Sequence, residues 1–324
     1  MKHLNRAKND LNSQILAAQH PAKSNYAVKF SCFSLSSVQV VEDEQRLDCP
    51  SNCKPACTIC CCCDGLVLLS TCDRLDRHLL LWIPSTRESI VLPYPGYYLG
   101  DWVYGLGYNA TSDDYKILAV DLNRDYSENV SAEILALIRG SWRKIGDYPT
   151  GIGCAVGYLN CGMDSLAFIH GAFHWLGKSA YYIIVSFNIS NEVYGEIPLL
   201  ERMCNIFDLR LDHGVSVLRG MLCYYSTSPK LYHQGTFKLW VMKDYGVKES
   251  WTQLLTIQDA NYIRLAKPKY MFADGEVLLR CLPPLRITSL YWTSKRGPFE
   301  LWPEPVLSQG IVYTESLISP KLLI

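Results

Sequence analysis

Residues 63 to 93, CDGLVLLSTCDRLDRHLLLWIPSTRESIVLP, hold three apolar runs separated by turn signals. Asp64-Gly65 opens the run LVLL, Leu81-Trp82 falls in the second run, and Pro84-Ser85-Thr86 turns the chain into ESIVLP. Short runs rich in Leu, Val, Ile and Trp, bounded by Gly, Pro and Ser, predict strands, and an Asp-Gly pair supplies the positive φ that a tight hairpin needs. The pattern returns three more times. His170-Gly171 opens AFHWLG and leads through Ser186-Phe187-Asn188 to VYGEIPL; Arg219-Gly220 opens MLCYYS and leads through Leu239-Trp240 to WTQLLTI. Asp274-Gly275 opens EVLLRC and leads through Leu290-Tyr291 to PFELW. From turn glycine to aromatic, the pairs Gly65 to Trp82, Gly171 to Phe187, Gly220 to Trp240 and Gly275 to Tyr291 lie 16 to 20 residues apart. A repeated unit of inner strand, middle strand with an aromatic, polar turn and outer strand is a propeller blade.

A further unit lies between Trp102 and Ile145, where YGLGYN, YKILAVDL, AEILALI and SWRKI read as four strands without the same opening. Residues 26 to 36 and 310 to 318 are left at the two ends, so an N-terminal strand paired with C-terminal ones closes the ring and removes exposed sheet edges. The fold expected is all-β, a single propeller of about six blades. One helix is expected, a short one within residues 1 to 20, where Leu4, Leu11, Ile15 and Leu16 recur at helical spacing before Pro21.

Composition narrows the function. The 324 residues carry 31 Lys and Arg against 31 Asp and Glu, so no bulk attraction to nucleic acid or anionic membrane is expected. Apolar runs such as Leu79 to Ile83 are far shorter than the roughly 18 to 20 residues of a bilayer span, and the mixed polar start has no signal-peptide h-region. A cytoplasmic or nuclear location follows, in which the 14 cysteines stay reduced and the sequons at Asn109, Asn129 and Asn188 carry no glycan.

The phrases CDGLVLL (63 to 69), LLLWIPSTRESIVLP (79 to 93), YGLGYNATSDDYKILAV (104 to 120), SWRKIGDYP (141 to 149), FIHGAFHWLG (168 to 177), IVSFNISNEVYGEIPL (184 to 199) and LWVMKDYGVKESWTQLLTI (239 to 257) closely resemble the F-box-associated domain of plant F-box proteins. The likeness runs from residue 4 to residue 320 and includes YTESLISP at 313 to 320. It implies a kelch-like propeller acting as the substrate-binding part of a Skp-cullin-F-box ubiquitin ligase receptor, a module that is not an enzyme. The partner implied is a protein substrate held by the propeller loops, with a Skp adaptor bound only where an F-box lies upstream. No Leu-Pro-rich F-box pattern occurs within the sequence, so residues 1 to 20 are expected to be a helical remnant and residues 21 to 324 the propeller domain. The alternatives are a free binding or decoy propeller that recruits no ligase and, third, a propeller hydrolase or oxidase.

Against the family, residues 49 to 63, CPSNCKPACTICCCC, read as a Cys-rich insertion. Structural zinc takes four thiolates or imidazoles, usually as paired knuckles, and only Cys57 and Cys60 have knuckle spacing. Cys49 and Cys53 complete four thiolates in a weak zinc alternative; the principal expectation is no metal and no cofactor. His170 and His174 lie about 13 Å apart if the segment is a strand, too far to share an ion. The glycines of GIGCAVG at 151 to 157 miss the dinucleotide spacing, Ser216 lacks a nucleophile-elbow glycine, and Asp113-Asp114 read as a solvated turn, so no catalytic residue is assigned. Tyr94, Tyr97, Tyr98 and Trp102 gather around Pro and Gly between two blade strands and are the candidate contacts for a protein partner. Trp82, Trp175, Trp240 and Trp251 fall on repeat strands and are expected in the core.

Overall fold

A run such as LVLL has no polar alternation, so a strand that contains it must be covered on both faces. In the computed structural model, which describes residues 13–19, 28–35, 45–50, 56–73, 76–93, 102–121, 131–146, 153–154, 165–178, 181–203, 212–228, 236–258, 264–282, 289–294, 297–301 and 309–315, this is what happens. Leu66 and Leu68 pack toward one neighbouring sheet, Val67 and Leu69 toward the other, and all four are 0% exposed.

Six antiparallel sheets result among the described residues. The first joins the two ends of the described chain: β25 (Gln309–Thr314), β1 (Ser13–Gln19), β2 (Lys29–Ser34) and β3 (Gln45–Leu47), in that order from the inside out. The second runs β4 (Ala56–Cys63), β5 (Leu66–Asp73), β6 (Asp76–Ile83), β7 (Glu88–Leu92), and the third β8 (Trp102–Asn109), β9 (Asp114–Asp121), β10 (Ala132–Ala136), β11 (Ser141–Lys144). In the fourth, β12 (Gly153–Cys154) and β13 (Ala167–Ile169) both pair with β14 (Ala172–Lys178), followed by β15 (Tyr182–Asn188) and β16 (Tyr194–Pro198). The fifth runs β17 (Asp212–Leu218), β18 (Met221–Ser228), β19 (Thr236–Met242), β20 (Trp251–Gln258), and the sixth β21 (Arg264–Met271), β22 (Val277–Leu282), β23 (Ser289–Ser294), β24 (Gly297–Leu301).

The inner strands touch in a closed cycle: β25 with β4, β4 with β8, β8 with β13, β13 with β17, β17 with β21, and β21 with β25. Each of six apolar clusters is shared by two neighbouring sheets, so the core is a set of wedges between blades. Trp82, Trp175, Trp240 and Trp251, each at most 5% exposed, sit in these wedges. Between the third and fourth sheets the wedge leaves no room for a side chain at two positions of β8. A Cβ on Gly105 would lie 2.7 Å from the Phe173 ring, and one on Gly107 would lie 2.5 Å from the Phe168 ring.

The N-terminal helix is overturned where the chain is described. SQILAAQ is strand β1, with Ile15 and Ala17 facing the wedge shared with the sixth sheet and Leu16 and Ala18 the wedge shared with the second. Burial on both faces produces a solid apolar run that mimics helical spacing, and pairing with β25 and β2 decides the conformation. Residues 13–19 thus belong to the propeller, and Ala56–Cys63, within the stretch set apart as a Cys-rich insertion, is the inner strand β4. Among the described residues no α-helix occurs, only 3-10 turns at Leu137–Arg139, Glu201–Met203 and Lys248–Ser250.

Candidate functional site

Antiparallel order sends the connections to two unlike ends. At one end the first strand of each blade turns into the second, and the third into the fourth. The first-to-second turns are short: Asp64-Gly65, His170-Gly171 and Arg219-Gly220 take positive φ at both residues, and Gly275 takes φ +89. At the other end the antiparallel strand order puts the links between blades and between second and third strands.

The turn end is stitched across blades by polar side chains. Lys116 Nζ donates to the Ile189 carbonyl at 2.7 Å and lies 3.4 Å from Glu192, which also pairs with Arg143. That Arg143 contact is the main reason the Glu192 carboxyl is held below its usual range. Asn109 accepts from the Ser190 hydroxyl at 2.8 Å, which ties the turn of the third blade to that of the fourth. Sequence reading missed this bridge, although its only signal, the like-spaced turns Asn109–Asp113 and Asn188–Glu192, is visible. Asp113 and Asp114 part company here. Asp113 accepts from the Tyr108 hydroxyl, while Asp114 accepts from the Ile138 N–H, and burial raises its carboxyl pKa.

His174 is buried at 1% exposure. Its Nδ1 lies 3.3 Å from the Ala167 carbonyl, which only accepts, so Nδ1 carries the proton and Nε2 accepts from the Tyr245 hydroxyl at 2.7 Å. Burial lowers its pKa to about 4, and the ring is neutral at physiological pH. The His170 ring packs at a tilt against the same Tyr245, with centroids 4.5 Å apart. The histidine pair is therefore a clasp between the fourth and fifth blades around one tyrosine.

Cys57 and Cys60 are driven apart. Cys57 lies in the wedge with the first sheet and Cys60 in the wedge with the third, because three residues along a strand reverse the face. Cys49 packs beside the Cys57 wedge, and Cys53 lies outside the described residues. Desolvation raises the Cys60 and Cys62 thiols to about 12 and the Cys61 thiol well above its ordinary value, so all three are protonated. Among the described residues no three His, Cys, Asp or Glu groups cluster at metal-binding distance. Trp102, half-buried at the start of β8, packs on the wedge of the second and third sheets; Tyr94, Tyr97 and Tyr98 lie outside the described residues.

A channel of about 520 Å³ runs between the inner strands, and all six sheets contribute to its wall. The wall holds the thiol-bearing strand residues Cys61 to Cys63, Asp64, His213, Lys267 and Lys269. Cys62 Sγ donates to the Val312 carbonyl at 2.9 Å, and Ser216 Oγ to the Pro268 carbonyl at 3.1 Å. Among the described residues no helix is long and apolar enough to cross a membrane.

F-box protein CPR1 of Arabidopsis thaliana is 28% identical over 254 residues, 71% of this chain and 59% of that protein. An F-box/kelch-repeat protein of the same plant is 28% identical over 230 residues, 67% of this chain and 56% of its own length. The chain spans about half the length of the curated relatives it matches. Among solved structures, TolB from Acinetobacter baumannii superposes with a TM-score of 0.51 at 12% identity, covering 94% of this chain and 66% of that one, a likeness of fold alone. The F-box associated beta propeller domain family matches residues 15–283, so the long ordered repeats and the closed ring have one origin: the chain belongs to that family.

Proposed function

We propose that this propeller is a protein-recognition module, the substrate-binding part of a Skp-cullin-F-box ubiquitin ligase receptor, without chemistry of its own. The family match across residues 15–283 is the observation that carries this reading. The unlike ends of the ring support it. Short, cross-linked turns hold one end rigid, and the longer connections at the other can vary without disturbing a sheet, which suits recognition loops on a fixed scaffold. Ubiquitin transfer asks of a receptor only that it hold its substrate close, so a module of this kind works by proximity. Tyr94, Tyr97, Tyr98 and Trp102 belong to or border the 93–101 connection and are the contacts assigned to the protein partner, because aromatics bury large area at small entropic cost. A ligase role of this kind fits a cytoplasmic or nuclear location, with a Skp adaptor bound only where an F-box lies ahead of the propeller.

The test is a family F-box fused ahead of His3 and expressed in plant cells under proteasome inhibition. The fusion is expected to co-purify with a Skp adaptor and to raise ubiquitin conjugates on a reproducible set of proteins. Replacing Tyr94, Tyr97, Tyr98 and Trp102 together by Ala is expected to deplete that set while adaptor binding persists. An unchanged set of conjugates would remove these aromatics from the interface, and no conjugates above background from the parent fusion would remove the receptor function.

A further inference from the structure

Ring closure settles the inner strands of a propeller, but the outer strand of each blade keeps an open edge, a row of backbone N–H and C=O groups that a further strand can join. Five of the six outer strands here are guarded. β3, β7, β11, β16 and β24 are three to five residues long, and each carries charge: Arg46, Glu88, Arg143 with Lys144, Glu196 and Glu300. β16 and β24 hold a proline as well, Pro198 and Pro298. The outer strand of the fifth blade differs on every count. β20, WTQLLTIQ, is eight residues long and has no charged residue and no proline. Among the described residues its only strand partner is β19. Its two ends are fixed from within the propeller. Trp251 is buried in the wedge with the fourth blade and its indole N–H donates to the Pro198 carbonyl at 3.2 Å, while Ile257 packs in the wedge with the sixth. The one guard is a bulge. Register passes from Trp240 opposite Gln253 to Leu239 opposite Leu255, so Leu254 is left unpaired and stands 39% exposed. Beyond it residues 255–258 run in unbroken register with β19, and Thr256 and Gln258 are exposed.

We propose that residues 255–258 of β20 pair antiparallel with the same segment of a second copy of this chain, across a two-fold axis, and so form a homodimer. A two-fold contact is self-complementary, which means the strand each edge must accept is itself. On β20 that places only Leu, Thr, Ile and Gln in the shared ladder. At any other blade the same operation would crowd like charges into a ladder of five residues or fewer, and like charges across a ladder destabilise it. The exposed Leu254 of each copy borders the ladder and adds apolar area to the contact. So short a ladder makes a small interface, and the dimer is weak, with a Kd on the order of 10–100 µM.

Sedimentation equilibrium of the full chain from roughly 1 to 300 µM tests this directly. The mean mass is expected to rise from one chain toward two. Thr256→Lys with Gln258→Lys puts like charges into the shared ladder and is expected to weaken dimerisation by about tenfold or more, with the urea midpoint unchanged. Val91→Lys, at an exposed apolar site on the edge strand β7, is expected to leave dimerisation as in the parent. A second measurement needs no variant: hydrogen exchange of peptides spanning residues 251–258 is expected to slow as the concentration of the chain rises. A monomer at every concentration would overturn the proposal, as would a dimer that the double variant leaves intact or β20 amides protected only when a different protein is added, which would give the edge another occupant. All of these results come from the chain alone or from its β20 edge and none requires an adaptor or ubiquitin conjugates, so failure here and failure of the receptor reading are separable.

Discussion

Replacing Gly107 by Ala should destabilise the propeller, and the sign of the effect is the informative part. A strand glycine that becomes alanine normally stabilises by about 0.4–1 kcal/mol, because the unfolded chain loses freedom. At Gly107 the new methyl would lie 2.5, 2.6 and 2.7 Å from Cε2, Cζ and Cδ2 of Phe168, against the roughly 3.5–4.0 Å at which carbon atoms attract. The Phe168 ring must therefore retreat by about 1 Å. Its retreat is opposed, since Phe173 packs against it at 4.9 Å between centroids and itself rests on Gly105, where an added Cβ would come within 2.7 Å. Overpacking of this kind costs about 1–3 kcal/mol, which exceeds the entropic gain. In urea unfolding the midpoint should fall while the slope m holds. Two controls sharpen the reading. Gly146 has open space around its Cβ position, so Gly146→Ala should change stability by less than about 0.5 kcal/mol. Adding Phe168→Leu to Gly107→Ala should recover stability, with a coupling of about 1 kcal/mol or more in the double-mutant cycle. A Gly107→Ala protein as stable as its parent, or more so, would refute the claim that the Phe168 ring rests on bare backbone at Gly107.

Two further predictions concern turns and protonation. Gly171 has φ +73 and nothing within 4 Å of its Cβ position, so Gly171→Ala should lose about 1–2 kcal/mol from backbone conformation alone, read as a lower urea midpoint; an unchanged midpoint would contradict the left-handed turn. His174 is held near 4 in the folded chain against about 6.5 unfolded, so the unfolded state binds the extra proton between these values. Stability should be complete above about pH 6.5 and fall by up to about 3 kcal/mol as the pH drops toward 4, a slope that His174→Gln should flatten and whose persistence in that variant would assign it elsewhere.

The legible parts of this fold were those that repeat. Gly65, Gly171, Gly220 and Gly275 announce themselves because a hairpin of this geometry needs φ > 0, and each is observed there. Ser13–Gln19 was illegible for a related reason. Its burial on two faces erases the two-residue alternation that marks a strand, and only the partner strands, near residues 34 and 314, supply the missing information. The zinc spacing of Cys57 and Cys60 failed through the same geometry. Local spacing means a shared site only when the backbone is a turn, and on β4 it separates the thiols into different wedges. His174 shows the opposite limit, since its partner Tyr245 is 71 residues away and no local pattern joins them.

Those long-range contacts also explain why the two ends of the ring differ. Lys116, Arg143 and Glu192 on one pair of blades, and His170, His174 and Tyr245 on the next, are all placed by tight turns at a single end. Each contact spans two sheets, so a change in one turn strains its neighbour, and that end tolerates little variation. The wedges and the β25-β1 pairing also hold the blades in a cycle without help from the connections at the opposite end. A propeller held shut at one end and by its core can present different loops at the other while its sheets stay fixed. That division, more than any single residue, is what the proposed recognition role draws on.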